Sequence, residues 1–445
     1  MGAVCLLRRI RALALLVLAT VLLACHMAAA PPAAPTATPT ACPPTPSLVP
    51  PTATPPPTGP LVVFTREGSL WLTDETAVAR RLTEGGADSS PLFSPDGRWV
   101  LFHRELPPGP SGLGRFELRV VGVDGAGEQR VVGPDDLPTE IGTPMGSETP
   151  VPLDTLPLQV AWLPDSRHIA FNTFINVEGG LATHDDLWQF DLQTGALTRI
   201  LDEGGGGAFA FSPDGARLVV ASPTAVTMMN ADGSDRRTLV RFDFVNTASE
   251  YAYQPRPVWA PDGSYALVAV SSAEPFGAAP TVSLWRLPLT GDAVLLATLP
   301  GNFLSCSMED RLWSPDRTRI AYTVATATDE PGARELVVAN ADGSAPVIYA
   351  HGVLDFLGWT PDSRHFAFWQ GRPGEVYRGA VGEPPQRLVP AEEAERIRLL
   401  RWADGETFGY VVGEGPFSYW IGRVGGARSA VATSNDSFAQ FDLWR

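Results

Sequence analysis

FSPDGRWVLF, residues 93–102, is written again as WLPDSRHIAF (162–171), FSPDGARLVV (211–220), WAPDGSYALV (259–268), WSPDRTRIAY (313–322) and WTPDSRHFAF (359–368), with a worn copy, RWADGETFGY, at 401–410. Each copy parses as strand, tight turn, strand: an aromatic ends the first strand, and alternating apolar residues run through the second. Pro95 presets φ, Asp96 accepts local backbone hydrogen bonds, and Gly97 takes the left-handed position that closes the hairpin loop. Asp165, Asp214, Asp262, Asp316 and Asp362 repeat the role of Asp96, so these acids read as turn chemistry and not as catalytic groups. Ser166, Arg317 and Ser363 replace the glycine, where the left-handed conformation costs about 1 kcal/mol or the turn changes type.

A second signature follows each copy, as in LRVVGVDGAG (118–127), LWQFDLQTG (187–195), VTMMNADGS (226–234), LWRLPLTGD (284–292) and LVVANADGS (336–344). It ends in a Gly-containing turn and leads into another short apolar run, so a repeat holds four strands, A to D. The aromatics ending strand A stand at 93, 162, 211, 259, 313, 359 and 402. A four-stranded repeat of roughly 40–50 residues is the size of a propeller blade. One such sheet cannot cover its own apolar faces, so blades must pack side by side. LVVF (61–64), SLWLT (69–73) and ARRLT (79–83) read as strands B, C and D without an A, and SFAQFDLW (437–444) as a strand without continuation. The expectation is an all-β chain forming a single β-propeller of about eight four-stranded blades, seven as the fallback. The C-terminal strand joins the first blade and removes the open edges. The W/F-S-P-D-G start and the N-A-D-G-S hairpin (230–234, 340–344) resemble the repeats of TolB-type propellers, relatives in shape of WD-repeat rings. The resemblance covers about 60–445 and implies fold more than function, because such blades serve binding proteins, peptidase gates and enzymes alike.

Outside the repeats, composition sets the address. The 445 residues carry a formal net charge of −16, and all the basic residues are Arg. With the acids spread along the chain there is no basic stripe, which argues against a nucleic-acid partner. Arg8, Arg9 and Arg11 precede an apolar run, Ala12–Leu23, too short to span a membrane. Leu22-Leu23-Ala24-Cys25 resembles the bacterial lipoprotein signal. That resemblance implies that 1–24 is removed and Cys25 is acylated, anchoring the chain outside the bacterial cytoplasm, at the cell surface or in the periplasm. Residues 25–59 then form a stalk, rich in Pro and Thr, that cannot bury a core. Residues 60–445 form the propeller. Cys42 and Cys306 either pair, tying stalk to body, or stay free.

In an up-and-down blade the A–B and C–D turns share one face while the B–C loops and D–A crossings share the other. The long segments, 103–117, 172–186, 271–283, 323–334, 133–157 and 241–257, all fall on the second face, where binding is expected. Phe242, Phe244, Tyr251, Tyr253 and Arg256 put aromatic surface and a fixed charge in one crossing, suited to a protein or sugar partner, or else they pin the loop to its own blade. His184 and Asp185, with Asp186 and Glu178 near, join the candidate ligand-binding set. They read more readily as turn chemistry than as a metal site, so no metal or cofactor is expected. Asp329, Glu330 and Arg334 form another charged tip. The sequence has no G-x-S-x-G turn, H-E-x-x-H helix or phosphate-cradling loop. The leading expectation is a non-catalytic, lipid-anchored propeller that binds a protein, peptide or cell-envelope ligand, or serves as a scaffold. The alternative is a polysaccharide hydrolase or lyase with acids at the channel mouth. Cys25→Ser is predicted to move the protein from the membrane fraction to the soluble one; its persistence in the membrane fraction would refute acylation as the anchor.

Overall fold

The computed structural model describes residues 59–109, 111–143, 149–177, 180–249, 251–302, 312–326, 332–371, 374–394 and 397–444. Cys25, the signal and almost all of the stalk, Cys42, Cys306, Glu178, Asp329 and Glu330 lie outside the described residues. The repeats fold as antiparallel sheets, such as Asp88–Phe93, Trp99–Leu106, Arg115–Gly122 and Gln129–Val132 in that order. Burial explains why they cannot stand alone. The B strands are buried at nearly every position, as in Arg217–Ala221, Tyr265–Ser271 and Thr407–Val412, so both faces of each sheet are covered by neighbours. The outermost strands are open, as in Glu383–Arg387, exposed throughout. The core is accordingly shared between blades: Leu163, Ala170 and Leu187 of one pack with Leu218, Val220 and Met229 of the next.

The chain is a β-propeller whose strands form, among the described residues, seven sheets of four or more strands. Seven is the fallback number, and the reason is local. One sheet has six strands, because Val347–Trp359 runs for 13 residues without a break. Its first half pairs with Ala333–Asn340 and its second with Phe366–Gly371, so the repeats opened by Trp313 and Trp359 are fused through a common strand. The strand thus ends one ladder and begins the next, and the two motif copies still pack core against core, Ile320 and Leu336 of one beside Phe366 and Phe368 of the other.

Contacts between blades recur at equivalent positions. The indole Nε1 of Trp162, Trp259 and Trp359, each at the end of a strand A, donates to the carbonyl of Leu92, Ala210 and Leu312 at 3.3, 3.0 and 3.0 Å. In each case the acceptor is the residue just before the corresponding aromatic of the preceding repeat. Trp313 and Trp402 keep the ring at this position without the bond. The residues that replace glycine serve the same junctions. Ser166, Arg317 and Ser363 do take left-handed conformations, with φ of 56°, 60° and 61°. Ser166 Oγ accepts the Asp96 N–H at 3.0 Å, Ser363 Oγ accepts the Asp316 N–H at 2.9 Å, and Arg317 Nε donates to the Trp259 carbonyl at 2.8 Å. A backbone cost of about 1 kcal/mol is thus offset by a bond to the preceding repeat that glycine cannot make.

The ring is closed by its two ends. Phe441–Trp444 pairs antiparallel with Leu61–Arg66, from Leu61 opposite Trp444 to Phe64 opposite Phe441. The added strand also holds the following blade. Asp442 Oδ2 accepts the Phe93 N–H at 2.9 Å, and Trp444 Nε1 donates to the Pro95 carbonyl at 3.2 Å. Gly97, at φ 68°, sits under the Trp444 ring so closely that a Cβ would run into it. Here glycine is needed both for the turn and for the seal. Trp444→Ala is predicted to lower the unfolding free energy by about 2 kcal/mol, read from denaturant midpoints; an unchanged midpoint would mean that the terminal strand does not carry the closure.

Candidate functional site: the long-loop face

Hydrogen bonds sort the turns into two faces. On one, the amides of several C–D turns reach the A–B hairpins of their own blades: Val123 to Arg98 at 2.9 Å, Leu192 to Arg167 at 3.0 Å, Ala231 to Ala216 at 3.0 Å and Ala341 to Thr318 at 2.9 Å. The repeated aspartates lie here and bond their own turns. Asp96 Oδ1 accepts from the Ser94 hydroxyl at 2.7 Å and the Arg98 amide at 3.1 Å, and Asp262 Oδ1 from the Ser264 hydroxyl and amide at 2.7 and 3.0 Å. The Ser212 hydroxyl, and after it the Ala216 amide, hold the Asp214 carboxyl below the usual range. Partial burial pushes Asp362 upward, but bonds from Thr360, the Arg364 amide and His365 outweigh it and leave its pKa at about 2. Asp165 and Asp316 are held low in the same way against partial burial, by His168 and the Arg167 amide in one case and by Ser314 and Thr318 in the other.

On the other face, crossings and B–C loops from successive repeats join into a raised wall. The crossing at 133–157 folds a small hairpin of its own, Glu140–Gly142 against Val151–Leu153. The segment 172–186, expected as a loop, is largely strand: His168–Val177 continues upward and pairs with Gly180–Thr183. The added ladder runs from Phe174 opposite Thr183 to Val177 opposite Gly180. Glu140 Oε1 stands 2.8 Å from His184 Nε2, without hydrogen-bond alignment. His184 Nδ1 lies 2.7 Å from Thr173 Oγ1, which donates to Asp186 Oδ2 at 2.8 Å; the same oxygen accepts from Trp188 Nε1 at 2.7 Å. Gln254 Nε2, from the 241–257 crossing, donates to Asp185 Oδ1 at 2.8 Å. The Asn246 amide, from the same crossing, donates to the Ala273 carbonyl of the next B–C loop at 2.8 Å.

The wall divides the expected binding residues into two groups. Tyr253 is 7% exposed, with its hydroxyl donating to the Ala269 carbonyl at 3.0 Å, and Phe242 packs on the core. These two pin the crossing. His184 is buried in the Thr173–Asp186 network, and Asp185 is half-buried against Gln254. Phe244 and Tyr251, 58% and 50% exposed, face outward, and Arg256 is exposed. Phe276, in the loop joined to the crossing through Asn246, is 64% exposed and was not singled out by sequence reasoning. Its signal was present: a lone aromatic between Pro275 and Gly277, where no strand could bury it. Among the described residues no three His, Cys, Asp or Glu side chains are grouped to hold a metal ion.

The same face also carries a cleft of about 400 Å³ beside the ring closure. Glu105 and Phe116, paired across the Trp99–Leu106 and Arg115–Gly122 strands, form one wall with His103, and the segment from Asp436 to Gln440 forms the other. The His103 ring stacks on Phe116 with centroids 4.3 Å apart and planes at 8°. Burial pushes its pKa down to about 4.

No family model matches the chain, and no curated protein matches its sequence. Solved structures do resemble it. A crystal structure of the eukaryotic initiation factor matches over 86% of this chain and 98% of its own, at 11% identity and a TM-score of 0.50. At that identity the likeness shows the fold alone. The propeller domain of the Trilobed protease from Pyrococcus furiosus matches over 78% of this chain and 98% of its own, at 11% identity and a TM-score of 0.45. A putative TolB from Agrobacterium tumefaciens matches over 57% and 96%, at 15% identity and a TM-score of 0.32. A fold alone does not fix function, so function has to be argued from the face itself.

An unfolded histidine takes up its proton near pH 6.5, whereas native His103 does so only near pH 4. Between these values the unfolded chain binds more protons, so this contribution to stability is complete above the unfolded value and declines as pH falls toward the native one. His103→Phe, which keeps a ring against Phe116, is predicted to reduce the loss of stability between pH 6.5 and 4. An unaltered slope in denaturant titrations across that window would refute the assignment.

Proposed function

We propose that this protein is a non-catalytic binding or scaffold propeller, anchored through acylated Cys25 outside the bacterial cytoplasm, that engages a protein, peptide or cell-envelope ligand with its long-loop face. The observation that carries the reading is the group of exposed aromatics, Phe244, Tyr251 and Phe276, on two loops tied by the Asn246–Ala273 hydrogen bond. Large aromatic side chains held at the surface on fixed loops are the usual anchors of recognition, because they bury much area and lose little side-chain entropy. The loops are fixed from below: Tyr253 pins the crossing to its blade, and Gln254 pins it to the neighbouring hairpin. Arg256, exposed on the same crossing, adds a fixed charge that would orient a partner. A Pro- and Thr-rich stalk of some 35 residues, if extended at about 3 Å per residue, would let the propeller reach roughly 100 Å from the membrane surface.

The test compares partners recovered from native membranes with the full chain and with a triple variant, Phe244→Ser, Tyr251→Ser and Phe276→Ser. All three positions are exposed, so the variant is expected to keep the wild-type unfolding midpoint while losing its partner or weakening it by at least about tenfold. An unchanged set of partners at unchanged affinity would contradict the proposed face.

A further inference from the structure

The cleft at the ring closure is a separate place from the aromatic loops, and its chemistry is more specific. Thr65, Gly68 and the crossing Ala87–Ser89 line it, with the Glu105 amide donating to the Ala87 carbonyl at 3.0 Å. Its walls are aromatic. Phe116 with the stacked His103 stands on one side, and Phe438, 76% exposed, on the other.

Most of the charges around it are already matched. Asp88 is buried beneath Arg104, which grips both carboxylate oxygens at 2.6 and 2.9 Å. Arg115 donates to the Pro107 carbonyl at 3.0 Å and reaches Asp154 at 3.5 Å. Asp436 Oδ1 accepts the Glu67 amide at 2.8 Å. Glu105 is the exception: it is exposed, and no hydrogen bond or ion pair reaches its carboxylate among the described residues. It stands directly opposite Phe116 across the strand pair, so a negative charge and an aromatic side chain meet on one wall. His103 stays neutral at ordinary pH, so the positive charge on the lining is that of Arg115, already held by Asp154 and the Pro107 carbonyl.

We propose that this cleft binds an organic cation carried on an apolar stem, a guanidinium or ammonium group, with Glu105 as its counter-charge and Phe116 and Phe438 as the walls that hold the stem. The volume suits one long side chain or a small amine, not a folded partner. An aromatic face and a carboxylate both attract a cation, and they do so additively where water is partly excluded. Of the charges lining the cleft, Arg115 is held by Asp154 and the Pro107 carbonyl, whereas Glu105 and Asp436 carry negative charge, and the net charge of −16 on the whole chain favours cations at a distance. Two sources share this chemistry: an arginine or lysine side chain of an extended peptide, and a free small amine.

The test is calorimetric titration of the full chain with three probes: N-acetyl-arginine amide, an end-blocked hexapeptide of alternating arginine and leucine, and the same peptide with glutamate for arginine. At least one arginine probe is expected to bind, more weakly as salt rises, and the glutamate peptide is not. Glu105→Gln should weaken binding by at least about tenfold and Phe438→Ala by several-fold, while the Phe244, Tyr251 and Phe276 variant keeps it. Equal affinity for the amide and the peptide assigns the cleft to small amines, and a tighter peptide assigns it to a peptide side chain. No binding of either arginine probe, equal binding of the glutamate peptide, or indifference to Glu105→Gln would overturn the proposal. Because the aromatic loops lie elsewhere, their own partner test is unaffected by that result.

Discussion

The structure depends on one constraint: the middle strands of every blade are apolar on both faces. In Tyr265–Ser271 and Thr407–Val412 almost no position is left open to water, and no single sheet can cover two faces. Each blade therefore needs a neighbour on both sides, and a row of blades has uncovered faces at its ends unless it closes. The four residues Phe441–Trp444 solve this by completing the sheet that begins at Leu61 while bonding the blade that follows through Asp442 and Trp444. Closure in turn brings the segment 436–440 against the 103–116 hairpin and so creates the cleft.

The junctions are reinforced at repeating points. A Trp at the end of strand A covers apolar surface and bonds the preceding blade through its indole nitrogen, which a Phe at the same place cannot do. Ser166, Arg317 and Ser363 carry the same logic into the turn. Their backbone conformation is unfavourable for any residue with a Cβ, yet each side chain spans to the repeat before it. What looks in one repeat like a departure from the glycine pattern is a bond in the pair of repeats.

That contrast marks how much was legible in the chain. Turn chemistry and apolar alternation are local, so the strands, the repeat and the terminal fragment that completes the first blade could all be read from residues a few positions apart. The bonds between blades join positions some 50 to 70 residues apart, as Trp162 joins Leu92, and no local pattern announces them. The blade number is harder to read for a related reason: Val347–Trp359 runs on through Gly352 and Gly358 as one strand, so two repeats share it. At the candidate site, Tyr251 and Tyr253 stand two residues apart and look alike in sequence. One is exposed and the other buried, because only the folded crossing decides which ring faces the Ala269 carbonyl. Glu105 and Phe438 lie more than 300 residues apart, and only closure of the ring makes them neighbours in one cleft.

The cleft, and the ring that carries both sites, thus rest on strand pairing between the two ends of the propeller. Native-state hydrogen exchange of the intact chain measures this most directly. The account predicts that amides of Val62–Phe64 and of Phe441–Leu443 exchange together and slowly, as members of one protected sheet. Rapid exchange at Phe441–Leu443 while the other blades stay protected would contradict it, because the end would then be unpaired and the seam open.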